Sequence, residues 1–273
     1  MTTHLVTGAS GWVGRALTDH LSAAGAQAVA WDRAAYPPTD RDAIDACLAD
    51  HAPDVVYHLA MCSEPTGTAD NEHDLVNRDW PHRLARWCAL HDARLVYTSS
   101  VMVYTDDLPG PYTPDTEPDN DEGYGLLKRQ IEHVVRDGAP SHAVVCRLGW
   151  QLADEPTGNN MLRHLTDQHN EKGRIDASSK WLPACSHVAE TARALYAAGT
   201  LADPGTYLVS TNTRRPFTDI VRAISDERGL NWTVNVDDSY AHDQRMLDDR
   251  LWRLLGMDGT PDGPAVRADT LGA

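Results

Sequence analysis

The sequence predicts an α/β protein, a doubly wound parallel sheet with a smaller C-terminal lobe. Three observations carry that expectation. Short apolar runs alternate with amphipathic stretches of helix length through the first half, the pattern of parallel strands joined by crossover helices. The first apolar run ends in a cluster of glycines that opens directly into a helix pattern. The chain has 273 residues, enough for one large domain or two small ones.

The elements follow in order. A strand is expected over His4 to Thr7, and a helix from Trp12 to Ala24, with Gly25 as its C-cap. Ala28 to Trp31 reads as the second strand. Thr39 or Asp40 caps a helix running through Asp50. Val55 to Ala60 is the third strand, Asp70 to Leu90 a long helix, and Leu95 to Ser99 the fourth strand. The proline-rich stretch from Asp106 to Glu122 reads as a loop over an active site, because candidate catalytic residues flank it. A helix then opens at Tyr124, and Ala143 to Arg147 forms a fifth strand. Residues 1–149 are expected to form the core and 150–273 the lobe, with about 184–200 returning to the core.

The glycines define a candidate site. Leu5 and Val6 lead into Thr7-Gly8-Ala9-Ser10-Gly11-Trp12-Val13-Gly14. Gly8 is free to take backbone angles closed to other residues. Gly11 admits a phosphate close to the backbone, and Gly14 lets the helix pack tightly. The helix N-terminus then presents free N–H groups to negative charge. A glycine turn without a ligand is the plainer reading. Strand, turn and helix together favour a dinucleotide pyrophosphate in a Rossmann-type fold. Gly8, Ser10, Gly11, Trp12, Val13 and Gly14 are the expected contacts, joined by Leu59 and Ala60 at the end of the third strand. Asp32, after the second strand, suits the adenosine ribose hydroxyls and favours NAD; Arg33 beside it suits the 2′-phosphate of NADP. The balance leans slightly to NAD.

Ser100, Tyr124 and Lys128 are the candidate catalytic residues. A phenol ordinarily ionises near pH ~10, so proton exchange near neutrality needs a cation beside it. Lys128 lies one helical turn after Tyr124, on the same face. Its ammonium also suits the ribose hydroxyls of a nicotinamide cofactor, which places Tyr124 and Lys128 among the cofactor contacts too. A hydroxyl from Ser100 would steady charge developing on a substrate oxygen. The trio suits hydride transfer between nicotinamide and a carbonyl carbon, with Tyr124 as general acid or base.

These motifs resemble the extended short-chain dehydrogenase/reductases. The two-residue gap between Gly8 and Gly11, the serine strand, and Tyr124-Gly125-Leu126-Leu127-Lys128 come in that superfamily's order. The resemblance implies that Asn77 supports the active site. Pro53-Asp54-Val55-Val56, Arg147-Leu148-Gly149-Trp150, Gly158-Asn159-Asn160-Met161, Trp181-Leu182-Pro183, Arg245-Met246-Leu247-Asp248 and Leu254-Leu255-Gly256 look like dTDP-4-dehydrorhamnose reductases. That likeness implies reduction of the 4-keto group of a nucleotide-activated deoxysugar. The chain departs from the pattern in several places. Ser99-Ser100-Val101-Met102-Val103-Tyr104 stands for the usual Ser-Thr-Asp-Tyr-Val-Phe, and Leu127 for a Ser or Thr. Met61-Cys62-Ser63-Glu64-Pro65 lacks the usual acidic pattern, and Trp181 and Leu182 replace a glycine before Pro183. An NAD-retaining epimerase and a non-catalytic cofactor-binding regulatory subunit are the alternatives. Val101 and Met102 supply no acid or base for dehydration.

Substrate is expected among the segments that follow the strand ends: Trp150, Asn160 and Trp181 for a sugar and base, and Arg163, Arg174 and Lys180 for a diphosphate. Packing of both tryptophans in the lobe core is the equal alternative. The net charge is −16, which argues against nucleic acid and anionic membranes as partners. Five scattered cysteines suit reduced thiols in a cytoplasm, not disulfides or a metal site. No signal peptide or membrane span is legible. The expected partner is a small molecule, and the sequence leaves room for a homodimer.

Overall fold

The chain runs β1 (Thr3–Thr7), α1 (Trp12–Ala23), β2 (Gln27–Ala30), α2 (Arg41–His51), β3 (Val55–His58), a short α3 (Glu72–Asp74), a π-helical turn at Leu75–Asp79 and α4 (Trp80–Leu90). Next come β4 (Arg94–Ser100), a 3-10 turn at Val101–Val103, α5 (Gly123–Gly138), β5 (Ala143–Leu148) and β6 (Trp150–Leu152). Then follow α6 (Met161–Lys172), β7 (Ile175–Ala177), β8 (Trp181–Leu182), β9 (Cys185–His187), α7 (Val188–Thr200) and β10 (Gly205–Val209). The last elements are α8 (Phe217–Arg228), β11 (Val234–Val236), β12 (His242–Asp243) and α9 (Arg250–Leu254). This computed structural model describes residues 2–63, 71–261 and 263.

Six strands form one parallel sheet in the order β10-β5-β4-β3-β1-β2. Successive side chains of a strand point to opposite faces, so a sheet covered on both sides needs strands that are apolar throughout. Leu5, Val56, Leu95 and Val145 pack under α2, α4 and α5. Val6, Tyr57, Val96 and Val144 pack under α1, α7 and α9. The sheet is doubly wound, as the alternation predicts. Its strand order turns between β1 and β3, and ligands of open parallel sheets sit outside the C-terminal strand ends at that point.

A separate cluster, with Leu152, Met161, Leu165, Ile175, Phe217 and Ile224 at its heart, packs α6 and α8 against β6, β7 and β9. The paired strands here are short: β6 with β9, β7 with β11, β8 with β12. Between β9 and α8 the chain returns to the core: α7 lies against α1, and β10 adds the sixth strand of the sheet.

Some boundaries differ from expectation, for identifiable reasons. Asp40 rather than Thr39 caps α2, accepting from the N–H groups of Asp42 and Ala43. The third strand stops at His58 because Leu59 and Ala60 donate to the Thr7 hydroxyl at 3.1 Å each. The long helix is broken at Leu75–Asp79, just ahead of Pro81. Proline has no N–H for an ordinary helical bond, and the wider turn absorbs the mismatch. The expected first residue of that helix, Asp70, lies outside the described residues, as do Glu64 and Pro65.

The proline-rich stretch is docked rather than free. Tyr112 pairs with Met246 as an isolated parallel bridge. Tyr112 N–H donates to Arg245 O, and Leu247 N–H to Tyr112 O, both at 2.8 Å. The Tyr112 hydroxyl meets His242 Nε2 at 2.8 Å, and its ring stacks on Tyr104 at 4.1 Å. A Cβ on Gly110 would lie 1.7 Å from Asp243 O, so only glycine permits this approach.

Candidate active site

The glycine turn lies at the C-terminal end of β1, at the switch point. Gly8 has φ +68°, and a Cβ on it would stand 2.9 Å from Ala60 N. A Cβ on Gly14 would stand 2.2 Å from Gly8 O; this glycine closes the turn on itself rather than on the strand. Gly11 differs from both. Its φ is an ordinary −74°, and a Cβ there would meet nothing nearer than Gly8 O at 3.4 Å. The space in front of Gly11 is therefore open on the protein side. No side chain caps α1, and its first turn carries no acidic residue. An open backbone cradle at an uncapped helix start fits a pyrophosphate.

The other expected cofactor contacts divide into main-chain and side-chain roles. Ser10 is exposed at the turn. The Trp12 indole N–H donates to Thr157 O at 2.6 Å, and Val13 packs into the core layer. Leu59 and Ala60 form the neighbouring wall, pinned by the Thr7 hydroxyl, which in turn meets His58 Nδ1 at 2.9 Å. Asn77 is buried, and its amide exchanges two 2.8 Å hydrogen bonds with the backbone of Cys62. It shapes the loop after β3. Asp32 Oδ1 accepts from the N–H groups of Ala34 and Ala35 at 2.8 and 3.3 Å, while Arg33 is exposed beside it.

Ser100, Tyr124 and Lys128 come together at the end of β4 and the start of α5. Ser100 Oγ accepts from Met102 N–H at 3.2 Å, which leaves its O–H free to donate toward the Tyr124 phenol. Tyr124 is 40% exposed, yet its hydroxyl lies in a recess that strips its hydration. That burial raises its pKa, and the Ser100 hydrogen bond opposes the rise. Lys128 is 5% exposed; its Nζ donates to Thr98 O at 2.9 Å and stands 5.7 Å from the Tyr124 ring. Burial holds its ammonium down to about 8, and Glu132 pulls the other way.

Sequence reasoning missed the residues that hold this trio in place. A Cβ on Gly125 would lie 2.2 Å from Met102 O and 2.4 Å from Asn120 Nδ2. Asn120 Nδ2 itself donates to Met102 O at 2.9 Å. The serine loop therefore rests directly on the first turn of α5. The glycine between Tyr124 and Leu126 was a signal for that contact.

The expected substrate residues do not all face the cleft. Asn160 is buried; its amide caps α6 through Arg163 N–H and donates to Glu155 O and Thr157 O. Trp150 and Trp181 are half-buried and pack with Phe217 on the lobe core. The Trp181 indole N–H is buried with no hydrogen-bond partner among the described residues. The three expected cations each have a carboxylate: Arg163 with Asp167, Arg174 with Asp176, and Lys180 with Asp238 at 4.0 Å.

A parallel sheet with a glycine turn at its switch point, and a Ser–Tyr–Lys trio beside it, is the architecture of the extended short-chain dehydrogenase/reductases. More particularly, residues 2–231 match the RmlD substrate binding domain, and the chain belongs to that family. It is 32% identical over 210 residues to the dTDP-4-dehydrorhamnose reductase of Mycobacterium tuberculosis (strain ATCC 25618 / H37Rv), covering 74% of this chain and 66% of that protein. It is 34% identical over 149 residues to the dTDP-4-dehydrorhamnose reductase of Streptomyces griseus, covering 54% and 49%. The matched stretch thus spans between about half and two thirds of these curated relatives. A crystal structure of dTDP-4-dehydrorhamnose reductase from Bacillus anthracis str. Ames, in complex with NADP, superposes with a TM-score of 0.79. It covers 96% of this chain and 95% of that one at 20% identity, a likeness of fold.

Proposed function

We propose that this protein is an NAD(P)H-dependent reductase of the 4-keto group of a nucleotide-activated deoxysugar. The observation that carries the reading is the meeting of Ser100, Tyr124 and Lys128 next to the open cradle at Gly11. The names of the curated relatives support the substrate class. The glycine turn would hold the pyrophosphate, with Leu59 and Ala60 along the neighbouring wall. Lys128 would hold the nicotinamide ribose. A bound reduced nicotinamide supplies the hydride that converts the carbonyl to an alkoxide.

The chain's own residues manage the proton. Ser100 donates a hydrogen bond to the carbonyl oxygen and steadies charge as it develops. Tyr124 gives that oxygen its phenolic proton. The phenolate left behind is stabilised by the Lys128 ammonium and by Ser100. Both NADH and NADPH are proposed as cofactors: the Asp32 carboxylate is partly occupied by its own turn, and Arg33 stands ready for a 2′-phosphate. The substrate would lie between the Ser100 loop and the lobe, with the exposed edges of Trp150 and Trp181 as its wall. We take the lobe cluster around α6 and α8 as the substrate-binding unit of the 150–273 half.

The five cysteines are free, which suits the cytoplasm. No helix among the described residues is long and apolar enough to cross a membrane. A homodimer is proposed, and light scattering reads the mass. The test of function is oxidation of NADPH and NADH with dTDP-4-dehydrorhamnose. Steady oxidation with one sugar turned over per cofactor is the expected result. Consumption with small free ketones alone overturns the nucleotide-sugar part, and no oxidation with any ketone overturns the reductase reading.

A further inference from the structure

A buried ion pair behind the catalytic trio has no part in the mechanism just described. Glu132 and Arg147 are 1% and 3% exposed. Arg147 grips the Glu132 carboxylate with two nitrogens, at 3.0 and 2.8 Å, and gives a third to the Tyr104 hydroxyl at 2.7 Å. Burying such a pair rarely stabilises a fold more than apolar side chains of the same size would. Its location is the informative part. Glu132 is one helical turn beyond Lys128, on the same face of α5. Arg147 belongs to β5, and Tyr104 follows the 3-10 turn after Ser100.

The surroundings of Lys128 sharpen the point. From α5 it faces Tyr124 and Glu132. From β4 it faces the Tyr97 ring, 4.9 Å from Nζ, and the Thr98 carbonyl. From β3 it faces His58, which burial keeps neutral, with the Lys128 charge adding to that effect. Glu132 is the carboxylate in this set. A buried ammonium without a countercharge sheds its proton.

We propose that the Glu132–Arg147 pair is a positioning element of the site. Glu132 provides the countercharge for Lys128, and Arg147 fixes that carboxylate while tying it, through Tyr104, to the loop that follows Ser100. The pair sets the charge and the placement of the lysine beneath the tyrosine. The upward pull of Glu132 on Lys128 agrees with this. The kinetic consequence rests on the reductase reading; the charge state of the lysine does not.

The chain contains three lysines, Lys128, Lys172 and Lys180, so the test is direct. The full chain is labelled with [ε-13C]lysine, and the three signals are assigned with Lys172→Arg and Lys180→Arg. Titration then reads Lys128 alone. Glu132→Gln should lower its midpoint by about one unit or more, a tenfold loss of proton affinity. Glu132→Gln combined with Arg147→Met removes both charges, avoids a stranded guanidinium, and should shift the midpoint the same way by a smaller amount, because Arg147 offsets part of the carboxylate's charge. Glu132→Asp keeps the charge and should stay near the parent. The alkaline limb of kcat should move with the lysine midpoint, leaving KM for cofactor little changed. A Lys128 midpoint that stays put in either carboxylate-free variant, or failure of both of them to fold, overturns the proposal. A parent enzyme without NADPH oxidation but with the expected titrations overturns the reductase reading alone.

Discussion

Tyr124 and Gly11 answer to different physics, and two substitutions separate them. Tyr124→Phe keeps the ring and removes the proton that the substrate oxygen needs. Turnover should fall by ~10² to ~10⁴ with NADPH affinity preserved, read by initial rates and calorimetry. Gly11→Val should leave the fold intact, because the protein offers no clash beyond a 3.4 Å contact. It should abolish NADH and NADPH binding, since the new side chain fills the cradle. Gly14→Ala should instead disrupt the turn, where its Cβ would meet Gly8 O at 2.2 Å. Lys128 adds a pH signature. As pH rises through about 8, the site loses its ammonium and with it the support for a phenolate. The pH profile of kcat should therefore decline above that value, and an activity plateau extending to pH 10 would count against Lys128 as the charged partner.

At the scale of elements, the loops are held by buried side-chain amides. Asn77→Ala removes two hydrogen bonds to Cys62 and leaves the backbone groups of that residue unsatisfied. A loss of about 2–3 kcal/mol in urea unfolding is expected, together with weaker cofactor binding as the loop after β3 relaxes. These devices mark the limit of what the sequence reveals. The glycine turn, the serine strand and the tyrosine helix were legible because each rests on local backbone geometry or one-turn spacing. Asn160 was not, since a residue suited to sugar recognition and one that caps a helix look alike until the partners are known. The charges of Arg163, Arg174 and Lys180 were legible, but their pairing with nearby carboxylates was not. The strand β10 escaped notice because Gly205–Val209 joins the sheet beside β5 only after the chain has built most of the lobe.

At the scale of the whole molecule, His58 is a strongly pH-sensitive group in the core. Burial drives the His58 pKa down to about 3, with Lys128 contributing. An unfolded chain takes up a proton at this residue near pH ~6.5, while the native one refuses it. Stability is thus lost as pH falls from about 6.5 toward 3, by up to ~1.4 kcal/mol per unit. Urea midpoints at pH 7 and pH 5 should fall less steeply in His58→Gln than in the parent. Equal slopes would remove His58 from the account of acid sensitivity.

The bridge between Tyr112 and Met246 also sets when the loop after Ser100 acquires its last contacts during synthesis. Every strand under the catalytic residues except β10 is made before residue 149. Yet the middle of the loop between Ser100 and Tyr124, around Tyr112, gains its partners only when residues 242–247 have left the ribosome. The nascent chain must carry the middle of this loop unpaired for about a third of translation, from residue 149 to residue 242 of 273. A message cut short before residue 242 would yield a chain whose Ser100 end of the loop still rests on α5 through Met102 and Asn120, while Tyr112 has lost its partners at residues 242–247.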